Sequence, residues 1–165
     1  MDSPATSTYL PTLEVPHERE GVGQELEATL HELIDLSLTG KQLHWAIIGT
    51  VFRPLHLQLD EFVESWQELS DTVAERAVAL GFVPDGQATA VAAGSQLAPV
   101  ARGSVEDHVV VRELTHRVAD VSERVRDRMN RLGEVDLASQ DVLIEVVRAL
   151  EEQQWMLRAQ LGNHA

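Results

Sequence analysis

The chain has 165 residues, 27 acidic against 13 basic side chains, a formal net charge of −14 and no cysteine. This length suits a single domain that buries its own core. The composition excludes disulfides, thiolate zinc sites and cysteine nucleophiles, and the acidity opposes binding to phosphate backbones.

The first residues, MDSPATSTYLPTLEVPHERE, have neither a basic start nor an apolar core, so they do not resemble a signal peptide. No stretch reaches the roughly 20 apolar residues of a membrane helix. We therefore expect a soluble, cytoplasmic protein. Residues 1–21 contain three prolines and are predicted to form an extended N-terminal arm, with residues 22–165 as one domain.

Two helical patterns follow the arm. The first covers about 23–48. The second, about 54–81, has apolar residues at steps of three and four, which predicts one core-facing stripe. Its members are Leu55, Leu59, Phe62, Trp66, Leu69, Val73, Ala77 and Leu80. Pro54 suits a first helical turn, and Gly81 suits a C-terminal cap.

Two more helices are predicted in the second half of the chain. The third, about 105–132, follows Ser104 as its N-cap, and the fourth, about 137–161, follows Asp136. Short joints predict antiparallel pairs. The 21-residue segment VPDGQATAVAAGSQLAPVARG between the pairs can run the length of a four-helix bundle, and QATAVAA within it predicts a short helix.

The second helix carries two pairs of potential metal ligands, His56 with Asp60 and Asp71 with Glu75. At about 100° per residue, all four fall on one face, away from the apolar stripe. Asp60 and Asp71 lie about 16 Å apart along the axis, whereas a metal–ligand bond is about 2 Å long. One helix therefore cannot close a metal site with both pairs.

The two pairs are placed symmetrically about the middle of this helix. An antiparallel two-fold copy would set His56 level with Glu75 of its mate and Asp60 level with Asp71. Two equivalent sites would then form, each using both subunits. His44, just before the turn that precedes the helix, would add a second nitrogen ligand.

A solvated polar stripe is the alternative interpretation, because any amphipathic helix needs a polar face. Glu64 and Gln67 share the same face and the same symmetry. A di-iron site inside the bundle would need Glu-x-x-His on two helices, and only Glu113 with His116 has this spacing. That kind of site is not predicted.

The remaining aromatic and imidazole side chains have other predicted places. Trp66 and Trp155 are expected to pack in a core or an interface, and His31 and His108 to be surface or packing residues. Trp45 follows His44 directly, so it is predicted to lie beside the metal as a sink for oxidising equivalents.

Three segments, KQLHWAIIG, FRPLHLQLDEF and SDTVAERAVALGFVPDG, occur in an order and at a spacing that resemble the Dps family, the mini-ferritins of starved bacterial cells. The resemblance covers about residues 23–161, and DVLIEVVRALEEQQWMLRAQL looks like the family's last helix. It implies an all-α fold, a ferritin-like four-helix bundle with a long crossover between its second and third helices.

The resemblance also implies a ferroxidase site shared between subunits. His44, His56 and Asp60 would come from one subunit, and Asp71 and Glu75 from its two-fold mate. The family forms shells of twelve subunits that oxidise Fe(II), preferably with hydrogen peroxide but also with oxygen, and store ferric mineral. Such a protein would protect its cell from oxidative stress. Oxygen and nitrogen ligands without thiolate suit Fe(II).

Iron entry is expected through acidic pores at the three-fold axes of the shell. Asp141 matches a pore acid of the family, and Asp136 and Glu145 are further candidates. Leu137 departs from the pattern, because some relatives carry an acid at that position.

Direct DNA binding is predicted to be weak or absent. Family members that condense DNA use lysine-rich tails, whereas the arm here is acidic and has no lysine. Three other functions stay open on sequence alone: a DNA-protecting nucleoid protein with minor iron activity, a structural or interaction bundle, and a metal-dependent hydrolase.

Overall fold

The computed structural model describes residues 17–162, with side chains from Glu20 onward. Within that range the elements are α1 (His17–Ala46), β1 (Ile47–Ile48), α2 (Phe52–Ala79), α3 (Ala88–Gly94), β2 (Val105–Glu106), α4 (Asp107–Leu132) and α5 (Leu137–Leu161). α1 packs chiefly against α2, and α4 against α5. The predicted four-helix bundle, its long crossover and the short helix within the crossover are confirmed.

The core is formed by the apolar stripes of the four long helices. Every member of the stripe predicted on α2 is buried. Trp66, predicted to pack in a core or an interface, is fully buried, and its indole Nε1 donates a hydrogen bond to Oε1 of Gln153 at 2.7 Å. This bond satisfies the one polar atom of the ring inside the core. Within residues 17–162, no helix is both long and apolar enough to cross a membrane.

The C-terminal end of α2 and the N-terminal end of α5 lie at the predicted capping residues. Gly81 has a φ of 89°, its N–H donates to the Val78 carbonyl, and the N–H of Phe82 donates to the Ala77 carbonyl. This is a Schellman ending, which favours glycine because other residues are strained at positive φ. Asp136 caps α5, since its carboxylate accepts from the backbone N–H groups of Ala138 and Ser139.

Two predicted boundaries were wrong. α1 begins at His17, so residues 17–21 belong to this helix and not to the extended arm. Residues 1–16 of that arm lie outside the described part. Ser104 is not the N-cap of α4, because the next two residues form β2, which pairs in parallel with β1. The pairing with Ile47–Ile48 keeps residues 105–106 extended and delays the helix to Asp107.

A buried group of charges ties α1 to α4. Glu32 is completely buried, and its two carboxylate oxygens accept hydrogen bonds from Arg124 and Arg128. Nearby, Arg131 donates two hydrogen bonds to Glu25, at 2.7 and 2.9 Å. Since a carboxylate away from water is costly unless it is paired, Glu32 requires both arginines.

We expect Glu32→Gln to lower the free energy of unfolding by about 3–5 kcal/mol, because it leaves the two arginines without their buried counter-charge. The matched control is Glu151→Gln, which removes the exposed partner of Arg126. Exposed pairs contribute about 0–1 kcal/mol. Urea unfolding followed by circular dichroism measures both, and equal losses would contradict a special role for Glu32.

Candidate metal centre

The centre lies where the last turn of α1 meets the first turns of α2. The connection is tight, and Gly49 in it has a φ of 130°. A side chain at Gly49 would also collide with the Asp107 carboxylate, because an added Cβ would lie 2.3 Å from Oδ2. That same Oδ2 accepts a hydrogen bond from the Val51 N–H at 2.8 Å. The turn is therefore fastened to the start of α4, and the end of α1 lies against α2.

His44 and His56 face each other across this junction. Their rings are stacked, with centroids 3.6 Å apart and planes 22° from parallel. Nδ1 of His44 is 3.0 Å from the carbonyl oxygen of His56, and Nδ1 of His56 is 3.1 Å from the carbonyl oxygen of His44. A carbonyl oxygen only accepts, so each Nδ1 carries the proton. In the neutral form of either ring, Nε2 carries the lone pair through which imidazole binds a metal.

Asp60 adds a carboxylate to the histidine pair. Its Oδ1 lies 3.3 Å from Nδ1 of His44 and 2.6 Å from Nζ of Lys41. The hydrogen bond from Lys41 is the main reason why the pKa of the Asp60 carboxyl is lowered, and it outweighs the opposing effect of burial. Potential metal-ligand atoms of His44, His56 and Asp60 lie within 4.8 Å of one another. The group is open to solvent, since the Asp60 side chain is 45% exposed.

One subunit brings together only part of the predicted ligand set. Asp71 and Glu75 are exposed on the same helix, farther toward its C-terminal end. Neither joins a group of three potential metal ligands within the described residues. One subunit therefore groups two imidazoles and one carboxylate of the predicted ligand set, called the half-site below, and the other two predicted carboxylates lie farther along α2.

The tryptophan and histidine predictions have different outcomes. Trp45 follows His44 on α1, and its side chain is 72% exposed. Trp155 is 67% exposed, so it does not pack in the core of the subunit, and only its predicted place in an interface remains. His31 is a packing residue, with Nε2 2.7 Å from the Asp85 carbonyl oxygen, and His108 lies on the surface. Both histidines therefore match their predictions.

The predicted pore acids lie at the start of α5. Asp141 and Glu145 are exposed and line one groove, together with Arg148. Asp136 differs, because its Oδ2 accepts from the Arg76 guanidinium at 2.7 Å. Burial by itself raises the pKa of the Asp136 carboxyl, but the hydrogen bonds from Arg76 and Ser139 outweigh it and hold the pKa below its usual range. Asp136 is thus already engaged in capping and ion pairing within its own subunit.

A second group of potential ligands has a structural explanation. Glu106, Asp107 and His108 lie close together at the start of α4. The Asp107 oxygens, however, accept from the N–H groups of Val51 and His108, at 2.8 and 2.7 Å. The hydrogen bond from Val51 is the main reason why the pKa of the Asp107 carboxyl is lowered, and the bond from His108 lowers it further. Asp107 holds the α1–α2 turn in place, a role that sequence reasoning missed because its partner is 56 residues away.

Comparison with known proteins agrees with this geometry. Residues 23–165 match the family described as Ferritin-like domain. The DNA protection during starvation protein of Mycolicibacterium smegmatis is 34% identical over 144 residues, which are 86% of this chain and 78% of that protein. This chain belongs to the Dps family. The expected resemblance is confirmed, and with it the ferritin-like fold.

Other Dps proteins show the same similarity. DNA protection during starvation protein 2 of Deinococcus radiodurans is 34% identical over 157 residues, covering 95% of this chain and 65% of that protein. The chain therefore spans slightly less than two thirds of that relative's length. The crystal structure of Dps92 from Deinococcus radiodurans has a TM-score of 0.87 and 33% identity, with 90% of each chain covered. Iron storage and DNA protection are the general functions of this family.

Proposed function

We propose that this protein is a ferroxidase and iron-storage mini-ferritin. It oxidises Fe(II), preferably with hydrogen peroxide and otherwise with oxygen, and keeps the ferric mineral inside a hollow shell of twelve subunits. The observation that carries the proposal is the stacked His44–His56 pair, in which each Nδ1 is bonded to a backbone carbonyl and each Nε2 is left without a hydrogen bond to any described residue. Potential ligand atoms of this pair and of Asp60 lie within 4.8 Å of one another. Such a set of nitrogen and oxygen donors suits Fe(II) and leaves coordination positions open.

The second half of each site is proposed to come from a two-fold mate. Asp71 and Glu75 are exposed on α2 and lie too far along the helix to reach the histidines of their own subunit. An antiparallel copy of α2 would place them opposite Asp60 and His56, because the pairs are symmetric about the helix centre. The proposed interface builds two sites at once, so iron oxidation depends on assembly.

Two neighbouring Fe(II) ions are the substrate of this reaction. Each gives up one electron, and one hydrogen peroxide molecule takes both electrons and two protons to form two water molecules. Because both electrons arrive together, the one-electron product of peroxide, the hydroxyl radical, is not released. Trp45, exposed beside His44, is proposed to take up oxidising equivalents that escape this two-electron route.

Iron is proposed to enter through acidic pores that include Asp141 and Glu145. Both are exposed on the first turns of α5, where a ring of carboxylates would concentrate cations. Asp136 contributes less, because Arg76 already neutralises it. Leu137, which is 71% exposed, would present an apolar surface near the same opening.

The direct test adds Fe(II) without oxygen, oxidises it with hydrogen peroxide and separates the products by size-exclusion chromatography. We expect iron to elute with protein at about 220 kDa, twelve times the chain mass of 18.3 kDa. Iron content and protein are measured in every fraction. Iron-free protein of small size would reject the proposal and leave a structural bundle as the explanation.

A subunit-mixing experiment tests the shared site. His56→Ala and Asp71→Asn should each abolish rapid oxidation, since each removes a ligand from every site. Shells reassembled from equal amounts of both variants should recover about a quarter of the wild-type rate, because half of the two-fold pairs are mixed and each mixed pair has one intact site. Stopped-flow absorbance of ferric product gives the rates.

The matched control mixes His56→Ala with Asp60→Asn. Both changes damage the half of the site that comes from one subunit, so mixing cannot rebuild an intact site. Recovery in this control would contradict the proposed division of ligands, as would no recovery in the first mixture.

DNA binding is proposed to be weak or absent, because residues 1–21 contain four acidic side chains and no lysine, and Arg19 is the single arginine among them. A gel shift at low salt should show no saturable binding at submicromolar protein. A variant with Ser3→Lys, Thr6→Lys and Ser7→Lys serves as a positive control, since it adds cations where other members carry them. Tight binding by the unmodified protein would instead support the nucleoid-protecting alternative.

A further inference from the structure

Lys41 is the only lysine in the chain, and the other 12 of the 13 basic residues are arginines. It lies on α1 one turn before His44, on the same side of the helix. Its Nζ is 2.6 Å from Oδ1 of Asp60, the oxygen that also lies 3.3 Å from Nδ1 of His44. The single lysine is thus bonded to the one carboxylate that the half-site contains.

A metal ion and the lysine compete for this oxygen. A divalent ion bound to Oδ1 of Asp60 lies about 2 Å from it, and so within roughly 5 Å of the Lys41 Nζ whatever its direction. Two cations at that separation repel each other, and solvent screens only part of the repulsion at so short a distance. Metal binding through Oδ1 and the Lys41–Asp60 ion pair are therefore alternatives.

We propose that Lys41 is an internal counter-ion of the metal-free site, which holds the Asp60 carboxylate until an incoming divalent cation displaces it. The inference rests on the proposed function, since it concerns the same site. Lys41 is a positioning residue in this account: it keeps Asp60 beside the histidines and lowers the affinity for metal.

A lysine is well suited to an ion pair that a metal ion has to displace. An ammonium is a compact charge on a flexible stem, whereas a guanidinium can bind both oxygens of a carboxylate and is harder to remove. The Lys41 side chain is 38% exposed, so it has solvent to move into. By contrast, the arginines that hold Glu32 inside the bundle belong to a permanent contact.

Assembly would increase the need for such a counter-ion. If the mate brings Asp71 and Glu75 to the site, three carboxylates meet there before any metal binds. Unpaired like charges at short range are unfavourable, and Lys41 offsets part of that repulsion. The lysine then stabilises the empty interface, and the metal replaces it in the same role.

The test uses Zn(II), which binds nitrogen and oxygen ligands without redox chemistry. Isothermal titration calorimetry of the assembled protein should show that Lys41→Met tightens zinc binding about tenfold or more, because the competing charge is gone. Lys41→Arg should weaken zinc binding below the wild-type level. Arg158→Met is the matched control, since this exposed cation in the last turn of α5 has no ion pair within residues 17–162, and the zinc affinity of this variant should be unchanged.

Wild-type protein provides a second readout that does not depend on a variant. Reductive methylation with ¹³C-formaldehyde labels one lysine, so the NMR spectrum holds a single side-chain dimethylamine signal beside that of the α-amino group. Zinc should shift this signal and saturate at the stoichiometry found by calorimetry. Size-exclusion chromatography of each variant verifies that the assembly is intact.

The outcomes separate the two proposals. Zinc binding that is equal in wild type and Lys41→Met, with an unmoved lysine signal, would overturn the role of Lys41 and leave the metal site standing. No zinc binding in either protein would overturn both. Tighter binding by Lys41→Met together with a displaced lysine signal supports both.

Discussion

The position of the candidate metal centre depends on the hydrogen bond that the Val51 N–H donates to the Asp107 carboxylate. This bond fastens the α1–α2 turn to the start of α4, at a point where Gly49 leaves no side chain in the way. The short β1–β2 pair lies at the same junction. Because the turn is fixed, the last turn of α1 is held against the first turns of α2. The mutual hydrogen bonds of His44 and His56 follow from that contact.

The carboxylates discussed above fall into two groups. Some are paired with arginines and stabilise the fold, whereas others are exposed and are the candidate metal ligands. Inside the bundle, Glu32 has two arginine partners, and Asp136 has Arg76 at the α2–α5 contact. These pairs neutralise carboxylates that the fold takes away from water. On the polar face of α2, Asp71 and Glu75 are exposed and have no ion pair within residues 17–162, and exposed carboxylates can hold a cation.

The half-site explains why a ferroxidase of this kind would need assembly. Two histidines and one aspartate are brought together within a subunit, and the other two carboxylates lie too far along the same helix to join them. In the proposed two-fold dimer, a second copy would supply the missing pair without any change in the first. In the proposal above, Lys41 is the cation that pairs with Asp60 until a divalent metal ion displaces it.

Sequence periodicity and capping residues were sufficient to predict the four long helices, the buried face of α2 and the ends at Gly81 and Asp136. These features depend on neighbours three or four residues apart, so the information is local. The pairing of His56 with Asp60 was found for the same reason. The rejection of a closed site on one helix followed from helix geometry alone.

Only the tertiary structure decided which distant side chains meet. It showed that residues 105–106 pair with β1 instead of starting α4, and that Trp155 is exposed on the subunit. It also showed that Asp107 secures the α1–α2 turn and that Lys41 is bonded to Asp60. Each of these contacts joins residues far apart in the chain, and no local pattern encodes their distance. The sequence by itself determined the helices and the candidate ligands; packing determined their partners, because contacts between helices depend on all of the packed elements at once.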